Sequence, residues 1–131
     1  MNVSAPRATA VGHAITLLAG VAGIVVGLLG RSTVGGWGLA LVGLLVFNGL
    51  SAASFLVWQT RIERTPGPAE ARSALSTTAL SLVFLAQLLG RAWPEHESWS
   101  MVLVLVGLCT MVCAFWLGSR GRSESADRIA R

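Results

Sequence analysis

Charge is what this chain has least of. Only 12% of its 131 residues are Asp, Glu, Lys or Arg, against 53% hydrophobic; ordinary globular chains carry about 25% charged residues. A water-soluble fold needs a charged surface, and sixteen charges in 131 residues cannot build one. Lipid is therefore the expected solvent for most of the surface. Lysine is absent, so every basic side chain is Arg. Together with abundant Ala, Gly, Val and Leu, that reads as the coding bias of a GC-rich, bacterial genome. The two cysteines, Cys109 and Cys113, are too few for a disulfide framework and fall inside an apolar run. Phosphate loops, nucleophile elbows, HExxH and CxxC are all missing. No enzyme, catalytic residue, cofactor or metal site is therefore expected. The net charge of +4 brings no basic stripe with interleaved aromatics, so nucleic acid is not an expected partner.

The charges are confined to Arg7, Arg31, residues 61–72, residues 91–97 and residues 120–131. Between them lie four charge-free stretches, at about 11–30, 36–58, 73–90 and 99–118. Each supplies the roughly 17–25 apolar residues that a helix needs to cross a bilayer. The runs are continuously apolar rather than alternating, which argues against a β-barrel. The expected fold is an all-α, four-helix membrane bundle over 11–118, with a tail at 1–10 and a polar, basic tail at 119–131 expected to be disordered. The first stretch lacks a small-residue cleavage site after it and reads as a retained helix rather than a signal peptide.

Orientation follows from arginine. With the N-terminus inside, Arg7, Arg61, Arg64, Arg72, Arg120, Arg122, Arg128 and Arg131 are cytoplasmic, and only Arg31 and Arg91 are outside. This positive-inside bias predicts both termini in the cytoplasm of a plasma-membrane protein. Trp37 and Trp58 lie 21 residues apart, about 32 Å along a helix and close to the hydrocarbon thickness. Trp99 and Trp116 bracket the last span in the same way.

An internal repeat is visible. Leu28-Leu29-Gly30-Arg31 recurs as Leu88-Leu89-Gly90-Arg91, and Leu41-Val42-Gly43-Leu44 as Leu105-Val106-Gly107-Leu108. A true duplication would make two tandem parallel hairpins.

Within the spans, the first helix carries Ala19, Gly23 and Gly27 at four-residue spacing, with Gly20 and Gly30 on neighbouring faces. Such a stripe lets another helix approach closely. Asn48 falls midway between Trp37 and Trp58 and needs a partner at that depth. Thr110, at the same height in the fourth span, is the expected one, and Ser51 shares the Asn48 face. Ser76 and Gln87, eleven residues apart, share a face of the third helix, where Thr77, Thr78 and Ser81 add hydroxyls that can bond back to their own helix. Cys109 and Cys113 share one face of the fourth, best read as small packing residues. His13 reads as an interfacial polar group, and Glu95-His96-Glu97 as a solvated loop.

No ionisable residue lies at depth, which argues against a proton- or cation-coupled carrier. The leading expectation is a structural or accessory subunit packing through the glycine stripe against partner helices or its own copies. A small oligomeric transporter or channel for an uncharged solute is the first alternative, with Asn48, Gln87 and the third-helix hydroxyls lining its path. A phage-type holin is the second.

Overall fold

The computed structural model describes residues 5–62 and 65–130, and the side chains of these except 5, 68, 117, 118 and 120–128. Its described residues form four helices and no strand: α1 (Ala5–Leu29), α2 (Gly35–Ile62), α3 (Pro68–Ala92) and α4 (Glu97–Ala130), with a short 3-10 turn at Pro94–His96 before α4. All four are long and apolar enough to cross a membrane. The chain is a multi-pass, all-α membrane bundle.

The helices outrun the apolar stretches. α2 continues through Arg61 and α3 begins at Pro68, so the connection expected over 59–72 narrows to a few residues. Backbone hydrogen bonds do not end where hydrophobicity does; here proline decides. Pro68 stands at the start of α3, where its missing N–H costs nothing. Pro94 disfavours helical backbone at Trp93, whose φ of −135° and ψ of 80° end α3. No proline follows Pro94, and α4 runs to Ala130. The tail expected to be disordered is thus helical in its backbone. Its arginines, with Arg64, lie outside the described side chains.

The turn between α1 and α2 needs a left-handed residue, and Gly35 supplies it with φ 67°. The Thr33 hydroxyl lies 3.1 Å from the Gly30 carbonyl and 3.2 Å from that of Ala92. This places the α1–α2 and α3–α4 turns, and hence Arg31 and Arg91, at one end of the bundle.

α3 is the hub. Among the described residues it packs closely against α1, α2 and α4, whereas the α4 backbone comes close to α3 and the short turn and not to α1 or α2. The pattern on α3 explains why. Ala71, Ala74, Thr78, Ser81, Leu85, Leu88 and Ala92 recur at alternating steps of three and four and are all buried, which is the heptad seam of interlocking helices. This seam faces α1 and α2. Ala79, Leu82 and Ala86 form a second buried line that receives α4. A methyl on Gly107 would lie 3.3 Å from the Ala79 carbonyl oxygen, and the Ser100 hydroxyl donates to the Ala86 carbonyl at 2.7 Å.

The repeated motifs do not occupy equivalent places. Gly107 is pressed against α3, while nothing lies within 4 Å of a methyl placed on Gly43. Leu88 is fully buried, whereas Leu28 is 69% exposed.

Candidate functional site

The glycine stripe of α1 is covered from within the chain. Ala19 is buried in the core with Leu41 and Leu45. A methyl on Gly23 would stand 2.7 Å from Leu45 Cδ1, and one on Gly27 2.8 Å from Val42 Cγ2. Gly20 is tighter still in kind, because its methyl would meet backbone: the Leu45 carbonyl oxygen at 3.0 Å and Gly49 Cα at 3.4 Å. The stripe is spent on α2 and offers no face to a separate partner.

Toward the Arg7 end the contacts turn polar. Thr9, His13, Thr16, Thr78 and Ser81 are the buried polar residues described. The Thr78 hydroxyl sits 2.6 Å from the Gly12 carbonyl and 2.9 Å from both the Ala74 carbonyl and the Thr16 hydroxyl. Thr16 reaches the same Gly12 carbonyl at 2.8 Å. The absence of a side chain at Gly12 makes this approach possible, since a methyl there would lie 3.2 Å from Thr78 Oγ1. Gly12 and Thr16 on α1 thus meet Ala74 and Thr78 on α3, and the buried Thr9 and Ala71 continue the two series with identical spacing. Sequence reasoning noticed the hydroxyls of α3 but not this matched partner series on α1, whose spacing was the available signal.

Asn48 does not meet Thr110. Its Nδ2 donates to Ser81 Oγ at 3.1 Å, while the Thr110 hydroxyl donates back to the Val106 carbonyl at 2.8 Å. Depth was a sound guide to height, but α4 lies on the far side of α3 from α2. Ser76 is half-buried. Gln87 is exposed on the side of α3 that neither α2 nor α4 covers, and its amide has no hydrogen-bond partner among the described residues.

A cleft of about 390 Å³ opens at the Arg7 end between α1, α2 and α3. His13 forms one wall, its ring stacked on Phe55 with centroids 5.6 Å apart and planes 7° from parallel. Ser51, Trp58 and Gln59 of α2 and Glu70, Ser73 and Thr77 of α3 complete it. Ser51, placed by sequence beside Asn48, therefore lines this cleft. A second, wholly different groove, largely apolar, runs between α1, α3 and α4 and contains Cys109, Thr110 and Cys113; both cysteines are exposed and unpaired. Among the described residues, no three of His, Cys, Asp and Glu come together. The sequence matches no protein-family model, and neither curated proteins nor solved structures yield a match to this chain.

Proposed function

We propose that this chain is a structural or accessory membrane subunit that associates laterally, through the open side of α3, with a second copy or with a helix of a larger partner. It sits in the plasma membrane with the end carrying Arg7, Arg61 and Arg72 in the cytoplasm, as the arginine bias favours. Gln87 carries the reading. An unpaired amide within a span costs free energy in lipid, and the other deep amide, Asn48, is already satisfied by Ser81. A polar group on a neighbouring helix would satisfy Gln87 and contribute about 0.6–2 kcal/mol. The docking face is thus α3 rather than the glycine stripe of α1, which α2 occupies. The transporter alternative has less support, because Thr16, Thr78, Asn48 and Ser81 are bonded to one another or to backbone across helix contacts rather than left to line a path.

The test is photo-crosslinking in native membranes. A benzophenone residue replaces Leu80, which is exposed and two helical turns from Gln87 on the same side. Protein adducts, either of a second copy or of one defined partner, are expected, and Gln87→Leu should reduce them. Adducts to lipid alone would reject the proposal.

A further inference from the structure

The cleft at the Arg7 end is independent of that lateral face, and it holds polar groups that lack partners inside the span. His13, which forms one wall, is only 8% exposed, and its imidazole has no hydrogen-bond partner among the described residues. Ser51, at the floor, is half-buried and likewise unbonded among them. Hydroxyls within helices commonly return to their own backbone. Those of Thr16, Ser54, Thr77, Thr78 and Thr110 each reach the carbonyl four residues earlier. Ser51 does not, so its O–H is free to donate into the cleft. We propose that the cleft binds the head of a lipid-soluble quinone, a flat uncharged ring with a carbonyl acceptor on each of two opposite edges.

Depth argues for an uncharged occupant. Ser51 lies seven residues inward of Trp58, about 10 Å along α2, and an ion drawn to that depth would carry a heavy desolvation cost. Glu70 stands nearer the mouth, in the first turn of α3, and takes no part. The walls favour a flat ring. His13 and Phe55 lie 7° from parallel with centroids 5.6 Å apart, within the offset arrangement that aromatic pairs prefer. Phe55 remains 53% exposed, so a further ring can lie against it. The donors match acceptors on two edges. Ser51 is one turn deeper than Phe55 on the same face of α2, about 6 Å away along the axis, while His13 stands level with Phe55. One carbonyl would take the Ser51 O–H and the other the His13 N–H. The reduced quinol fits the same floor, because Thr77 already donates to the Ser73 carbonyl at 3.0 Å and its oxygen is left to accept. The tail would leave past Trp58 and Phe55, which are both about half exposed. The volume of about 390 Å³ is in the range of small-molecule sites.

Tryptophan fluorescence reads the site, because quinones quench indole emission on contact and Trp58 borders the cleft. The full chain is placed in phosphatidylcholine nanodiscs and titrated with decylubiquinone. Quenching that saturates at one quinone per chain is expected, above the unsaturable quenching by quinone dissolved in the lipid. Trp58→Phe should remove most of the saturable part. Ser51→Ala should weaken binding about fivefold, and so should His13→Phe, which keeps the stacked ring but not the N–H. Ser54→Ala, an exposed hydroxyl of α2 bonded to its own helix, and Gln87→Leu, on the lateral face, should leave it unchanged. Decylbenzene, which lacks the carbonyls, should not compete, and galactolipid discs should give the same affinity. Melting temperatures of the variants verify that each is folded. The proposal is overturned by an absence of saturable quenching, by saturable quenching that survives Trp58→Phe, or by folded Ser51→Ala and His13→Phe variants that bind like the parent. Displacement by decylbenzene would overturn it in favour of a merely apolar pocket, and an affinity that changes with the disc lipid in favour of a lipid head.

Discussion

α3 and α4 are adjacent, antiparallel and both long enough to span a bilayer, yet they meet opposite fates. α3 has the lowest mean hydropathy of the four spans and the largest buried share, 44% over its apolar stretch; α4 is among the most apolar and only 11% of its apolar stretch is buried. In water the more apolar helix would be the one inside. In lipid, hydrocarbon tails solvate Leu and Val as well as a protein core does, so apolar surface gives no preference for the interior. Close approach and hydrogen bonding decide instead. α3 offers Ala71, Ala74, Thr78 and Ser81 on one seam and Ala79 and Ala86 on another, all small enough for backbones to approach. α4 turns Leu105, Val112 and Phe115 outward and keeps Gly107 and Ser100 for the contact.

The largest effects should come from breaking that rule on the inside. Ala86→Leu on α3 and Gly23→Leu on α1 each force a bulky side chain into a filled contact, and a loss of about 2–3 kcal/mol is expected in detergent unfolding. Val112→Leu on α4 and Val25→Leu on the exposed side of α1 should stay within about 0.5 kcal/mol. Equal losses at all four positions would remove the contrast between the helices.

Next in size is the polar seam. Thr78→Val keeps the volume but removes the hydroxyl between Gly12, Ala74 and Thr16. A loss of about 1.5 kcal/mol is expected, read as a lower melting temperature. Asn48→Leu should cost less, about 1 kcal/mol. Combined with Ser81→Ala, it should be non-additive, because the two side chains share one bond. Full additivity would show that the bond carries no coupling. The smallest effect belongs to Ser100→Ala, where one hydroxyl bond anchors α4 to α3; about 0.5 kcal/mol is expected, visible in the same melting assay.

Much of this contrast could be seen from residues alone, and some could not. Four charge-free runs, with Trp37 and Trp58, were enough to count the helices and place their apolar middles, since length and hydrophobicity act locally; the helix ends, which Pro68 and Pro94 set at two of the turns and which run on into the charged tail, were not placed. The stripe at Ala19, Gly23 and Gly27 and the amide at Asn48 were recognised as groups needing company. Which helix supplied that company was not readable. Every span is apolar all round, so no polar face marks the outside, and height in the membrane says nothing about which neighbour stands there. Asn48 was accordingly paired with Thr110 at equal depth rather than with Ser81. The recurring Gly43 and Gly107 motifs suggested like roles because motif matching ignores the side of the helix. One legible clue went unused: the buried seam on α3 repeats at three and four residues from Ala71 to Ala92, and its small and hydroxyl members marked α3 as the centre.

The position of α3 between α2 and α4 is the claim on which the rest depends, and cysteine cross-linking reads it directly. In a background of Cys109→Ser and Cys113→Ser, Asn48→Cys is paired either with Ser81→Cys or with Thr110→Cys, and the protein is oxidised in membranes. The account predicts a disulfide between positions 48 and 81 and none within a chain between 48 and 110. A 48–110 disulfide formed as readily, with 48–81 unlinked, would place α2 against α4 and contradict it.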